Sequence, residues 1–149
     1  MYTRILVPVD DIGTSGRALH EAIAVATDQH ATLRLLHVIN ERDVVGAVFS
    51  GTGVDEQTGA PRTSWQDIGQ RVLARAATVA HYGGIEAETV LIESGGKPLP
   101  DLVVEEAERW GADLIVMGTH GQRNLTLLLL GSVALGVVRR TNIPVMLIH

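Results

Sequence analysis

Residues 118–132, GTHGQRNLTLLLLGS, carry the spacing with the most chemical content: Gly118, two residues, Gly121, nine residues, then Gly131-Ser132. They follow an apolar run, Leu114-Ile115-Val116-Met117, which reads as a buried strand, and they precede a helical pattern. A strand leading through a glycine-rich turn into a helix start is an arrangement that holds phosphates. Glycine lets backbone N–H groups approach an anion, and the helix N-terminus adds unpaired donors and a positive dipole end. A plain strand-to-helix turn is the alternative.

The pattern Gly-x-x-x-x-Gly-Lys-Ser/Thr is absent, and the lone lysine, Lys97, is distant in sequence, so this is not a P-loop enzyme. Phosphate charge would fall to backbone N–H groups, to Arg123 and to a divalent cation. Asp10 is a second candidate: its carboxylate can accept from ribose or amine donors, or cap the next turn. His120 sits in the glycine turn, where a solvated histidine is commoner than a catalytic one. No carboxylate pair or nucleophile–base pair is placed to activate water, which favours binding over fast turnover. His20, His30 and His81 fall on helices without metal-ligand spacing. His37 reads as a satisfied histidine of the core or the sheet end. Trp65 and Trp110 read as packing anchors.

The elements that would position these groups alternate. Arg4–Val9, Ala31–Ile39, Glu86–Glu93, Asp113–Met117 and Pro144–Ile148 read as strands, nearly continuous in apolar residues. Helical periodicity lies between them: one stretch capped at Ser15, one opened by a Ser64/Asp67 capping box and closed at Gly83-Gly84, one begun at Pro98 and Pro100 and stopped by Gly111, and one capped by Ser132. Five such alternations predict an α/β fold, a single-domain open parallel sheet with helices on both faces (Rossmann-like). Ligands bind such sheets beyond the strand ends where strand order reverses. The loops after Val9 and Met117 carry the ligand-like residues, so their strands should be neighbours, giving the order 3-2-1-4-5. Residues 40–63 hold no period, which makes them a long, mobile loop beside the site or a disordered insertion.

The chain has 149 residues, 46% apolar and 19% charged, with net charge −5 and no cysteine. One domain over 1–149 is expected. The composition excludes general disorder and a disulfide scaffold. The acidic balance, without a basic block, disfavours nucleic acid, and no apolar run reaches the ~18 residues of a membrane span. Neither is expected as a partner, and a cytoplasmic location is.

The stretches ILVPVDD, ATLRLLHVI, ADLIVMGTHG, LLLGSV and IPVMLI together resemble the ATP-binding branch of the universal stress protein family. Gly118, Gly121, Gly131 and Ser132 meet that family's nucleotide pattern without a gap. The resemblance covers the chain apart from residues 40–63. It implies a stress-response protein binding ATP with Mg2+ carried on the phosphates. Pro8 and Val9 would line the base, with Asp10 near the adenosine and the Val38 backbone at the adenine edge. Met117 and Gly118 would lie along the ribose. Gly121, Gly131, Ser132 and Val133 would receive the phosphates, with His120 and Arg123 in the binding set. It also implies a homodimer through Pro144–Ile148 and an unidentified protein partner. A nucleotide-free dimeric interaction module and a slow ATPase or nucleotidyl-transfer enzyme are the alternatives. Family members often have Gly-Ser where this chain has Asp11-Ile12-Gly13. Gly136 inside the last helix costs about 1 kcal/mol against Ala, a sign of close packing.

Overall fold

The computed structural model describes residues 1–10, 13–39, 64–119 and 131–149. The order of elements is β1 (Arg4–Pro8), α1 (Gly13–Gln29), β2 (Thr32–Ile39), α2 (Trp65–Tyr82), β3 (Glu88–Glu93), α3 (Leu99–Trp110), β4 (Leu114–Gly118), α4 (Ser132–Arg140) and β5 (Val145–Ile148). The strands form one sheet in the order β3-β2-β1-β4-β5, with every pair parallel. The α/β architecture and strand order read from the sequence are those of the molecule.

Alternation along the strands divides the core in two. Ile5, Val7, Leu33, Leu35, Leu114 and Val116 face α1 and α2, packing on Leu19, Ile23, Val72 and Leu73. Leu6, Leu36, Ile115 and Met117 face α3 and α4, packing on Val103, Ala107, Ala134 and Val137. Apolar side chains on both faces are what a parallel sheet covered by crossover helices requires.

Helix termini follow local chemistry. Ser64 caps α2 through its hydroxyl on the Asp67 amide, and Asp67 returns the bond to the Ser64 amide. At the far end Gly84, not Gly83, takes the left-handed conformation (φ 86°). Gly111 ends α3 at φ 78°, and Ala112 N–H reaches back to the Ala107 carbonyl at 2.8 Å.

Two expected caps are corrected. Helix α1 begins at Gly13, so Ser15 lies inside it; the N–H groups of a first turn have no intrahelical acceptors, and Gly or Thr can stand there. Ser132 is the first residue of α4, and the cap position belongs to Gly131. Strand edges also shift. Ala31 spends its N–H on Ala26, closing α1, and so stands outside β2. Glu86 pairs with His81, and β3 starts at Glu88, opposite Arg34.

The N-terminal edge of the sheet is closed by charge. Glu106, 2% exposed, receives Arg34 at 2.9 Å and also Arg109. The Arg34 guanidinium stacks on Trp110, 4.5 Å from the ring centroid, with Arg4 at 5.9 Å. Trp110 thus anchors packing and also supports a buried ion pair.

Candidate functional site

Ligand chemistry gathers at the opposite edge. Strands β1 and β4 are neighbours where strand order reverses, and they pair only at Ile5–Leu114 and Leu6–Ile115. Beyond those pairs no ladder pair joins the two strands, and Pro8-Val9-Asp10 and Met117-Gly118 stand at the ends that follow. The crevice beyond such strand ends is the default ligand position in open α/β sheets.

The β4 side is tightly held. Gly118 pairs with Ile148. Thr119, 2% exposed, donates its N–H to the Ile148 carbonyl at 2.9 Å and its hydroxyl to the same oxygen at 3.3 Å. Its own carbonyl accepts the Gly131 N–H at 2.6 Å. That bond brings the start of α4 against the end of β4 across a long separation in sequence. Thr119 is one of the two residues between Gly118 and Gly121 in the glycine pattern, and the sequence signal for its place is a β-branched residue continuing the strand past Gly118.

Gly131 caps α4 with φ −57° and ψ 152°, and among the described residues no side chain caps the helix. The first intrahelical bond runs from Leu135 N–H to the Gly131 carbonyl at 3.0 Å. The amides of Ser132, Val133 and Ala134 precede it, so the helix start presents donors rather than a capped end. Ser132 is exposed, the first turn carries no acidic residue, and Arg139 and Arg140 sit in the last turn. This polarity suits an anion at the N-terminus.

On the β1 side, Val9 N–H donates to the Leu36 carbonyl at 2.8 Å, and the Val9 carbonyl meets His37 Nδ1 at 2.8 Å. Asp10 follows, half-buried, at the mouth. Just past β3, Ser94 N–H donates to the Ile39 carbonyl at 2.9 Å. Leu36 therefore turns its carbonyl to β1 and Ile39 turns its own to β3. By alternation the N–H and C=O of Val38 point to the β1 side, past Pro8, the last paired residue of that strand.

Pro8, Val9, Asp10, Val38, Met117, Gly118, Gly131, Ser132 and Val133 thus lie on strand ends and a helix start along one edge. His120, Gly121 and Arg123 lie outside the described residues, as does the expected loop 40–63. That segment departs after Ile39 and rejoins at Ser64, whose helix meets the same edge through Gln66 and Glu93, 2.7 Å apart. Among the described residues no group of three His, Cys, Asp or Glu could hold a metal ion, and no helix is long and apolar enough to cross a membrane.

Comparison with known proteins agrees with this fold. The model of the Universal stress protein family matches residues 1–149. The universal stress protein MJ0531 of Methanocaldococcus jannaschii is 32% identical, over 99% of this chain and 82% of its own. The solved structure of MJ0577 from the same organism superposes with a TM-score of 0.78 at 28% identity, covering 99% of this chain and 96% of that one. The universal stress protein of Archaeoglobus fulgidus, solved in complex with dAMP, superposes at 0.70 with 26% identity, covering 99% and 98%.

Proposed function

Because the chain belongs to the universal stress protein family, we propose that it is a cytoplasmic regulatory protein that binds ATP with Mg2+ in the crevice between β1 and β4. One observation carries this reading: the glycine-capped start of α4 is bonded directly to the end of β4 at the point where strand order reverses. Amide donors and the dipole end are thereby aimed at the crevice mouth. The Val38 N–H and C=O supply a donor and an acceptor side by side, the complement of adenine N1 and its 6-amino group. The dAMP complex of the Archaeoglobus fulgidus relative supports an adenine nucleotide. The metal would ride on the phosphates, and the residues of the edge serve binding rather than rapid hydrolysis.

The edge strand β5 favours a homodimer as part of the same reading. Among the described residues it pairs with β4 alone, and its apolar residues are half-buried. Leu135 and Val138 of α4 stand exposed. An uncovered apolar edge invites a second strand, here Pro144–Ile148 of another copy. A further protein partner would read the nucleotide state.

Mass spectrometry of small molecules released from the purified protein, followed by calorimetric titration with ATP and Mg2+, tests the reading. ATP binding by the parent and its loss in Gly131→Val are expected. A folded parent with no affinity for ATP, or a valine variant that binds like the parent, would overturn it.

A further inference from the structure

A regular parallel ladder would direct the Val38 N–H onto the Val9 carbonyl, since Val9 already donates to the Leu36 carbonyl. That carbonyl takes the His37 imidazole instead, at 2.8 Å from Nδ1. A carbonyl oxygen only accepts, so Nδ1 carries the proton and the tautomer is fixed. The ring lies under helix α2 at Gly69. A Cβ on Gly69 would come within 3.1 Å of His37 Cδ2 and 2.7 Å of Leu91 Cδ1. The missing side chain is what lets the imidazole lie between α2 and the end of β1.

We propose that His37 is a positioning residue for base recognition: its Nδ1–H satisfies the Val9 carbonyl in place of the Val38 amide, keeping the Val38 main-chain edge open for adenine. The role rests on the adenine-nucleotide reading above. His37 acts through Val9 and Val38. Without the imidazole, the Val9 carbonyl closes onto the Val38 N–H and the base loses its donor. The same step removes the distinction between adenine, which needs that donor at N1, and guanine, which presents an N–H there.

The experiment compares the full chain with His37→Leu, which deletes the donor, and His37→Asn, whose amide nitrogen falls where Nδ1 was. ATP and GTP are titrated against each, and 15N NMR of the free parent reads the ring tautomer. The expected result is an Nδ1–H tautomer, with ATP affinity reduced about tenfold in His37→Leu. The preference for ATP over GTP should narrow in that variant, and both properties should be restored in His37→Asn. An Nε2–H tautomer overturns the proposal whatever the nucleotide result. Equal ATP binding by parent and His37→Leu overturns the role of His37 alone. A uniform loss for both nucleotides that asparagine does not restore overturns it as well, marking a structural histidine. A parent that binds no ATP overturns the adenine reading and this role with it.

Discussion

Substituting Ser132 with glutamate sets helix stability against ligand affinity at one position. Ser132 opens α4, its side chain is exposed, and the first turn has no acid. A carboxylate there complements the helix dipole and should raise stability by about 0.3–1 kcal/mol. The same charge faces the proposed phosphates. Two unit charges roughly 5 Å apart interact by about 0.8 kcal/mol in water. Against the net double negative charge of ATP with magnesium, the repulsion is about 1.6 kcal/mol, or more than tenfold in affinity. Exposure of the position justifies the water value, and any desolvation on binding increases the penalty. Urea denaturation and calorimetric titration measure the two effects, and low salt should enlarge both. Expected is a variant that is more stable yet binds more weakly. A variant stabilised as calculated but binding ATP like the parent would refute phosphate placement at this helix start.

Other perturbations test neighbouring parts. Gly136→Ala should destabilise by about 1 kcal/mol in urea despite the helix propensity it gains, because its Cβ would fall 2.5 Å from Pro100 Cγ, on a ring that cannot rotate away. Gly69→Ala should weaken ATP binding by displacing His37, with net stability changed by less than about 1 kcal/mol as helix propensity offsets crowding. Burial pushes the Asp113 carboxyl up, but hydrogen bonds from the Arg4 and Thr3 amides and the Thr3 hydroxyl outweigh it and hold the group below its ordinary value. A depressed carboxyl adds stability above its unfolded pKa that is lost as pH falls through the folded one, so parent and Asp113→Asn should differ at neutral pH and converge in acid. Met146→Lys should shift sedimentation from dimer to monomer; an unchanged dimer would put the interface elsewhere.

The fold was legible because its signals are local. Runs such as Leu114–Met117 are apolar on both faces, and glycine or serine punctuates each helix, which suffices for alternating elements and a strand order. The Ser64 and Asp67 pair is readable because a capping box spans only three residues. Ser132 misled for the same reason: a serine before a helical pattern reads as a cap, and only the bond from Gly131 to Thr119 determines where α4 starts. His37 resembled any strand histidine, since its role depends on Val9, brought beside it by register. The ion pair of Arg34 and Glu106 was equally hidden, because it joins the start of β2 to a helix three elements later. Long-range register is what a sequence pattern does not carry.

The bond between Gly131 N–H and the Thr119 carbonyl also fixes the two anchors between which a new segment could be inserted. Both anchors are secured from their own sides, Thr119 by β5 and Gly131 by the helix it opens. A short reporter peptide inserted there should leave the sheet and α4 folded while altering whatever reaches the crevice. The position is therefore a natural insertion point for converting the domain into a nucleotide sensor.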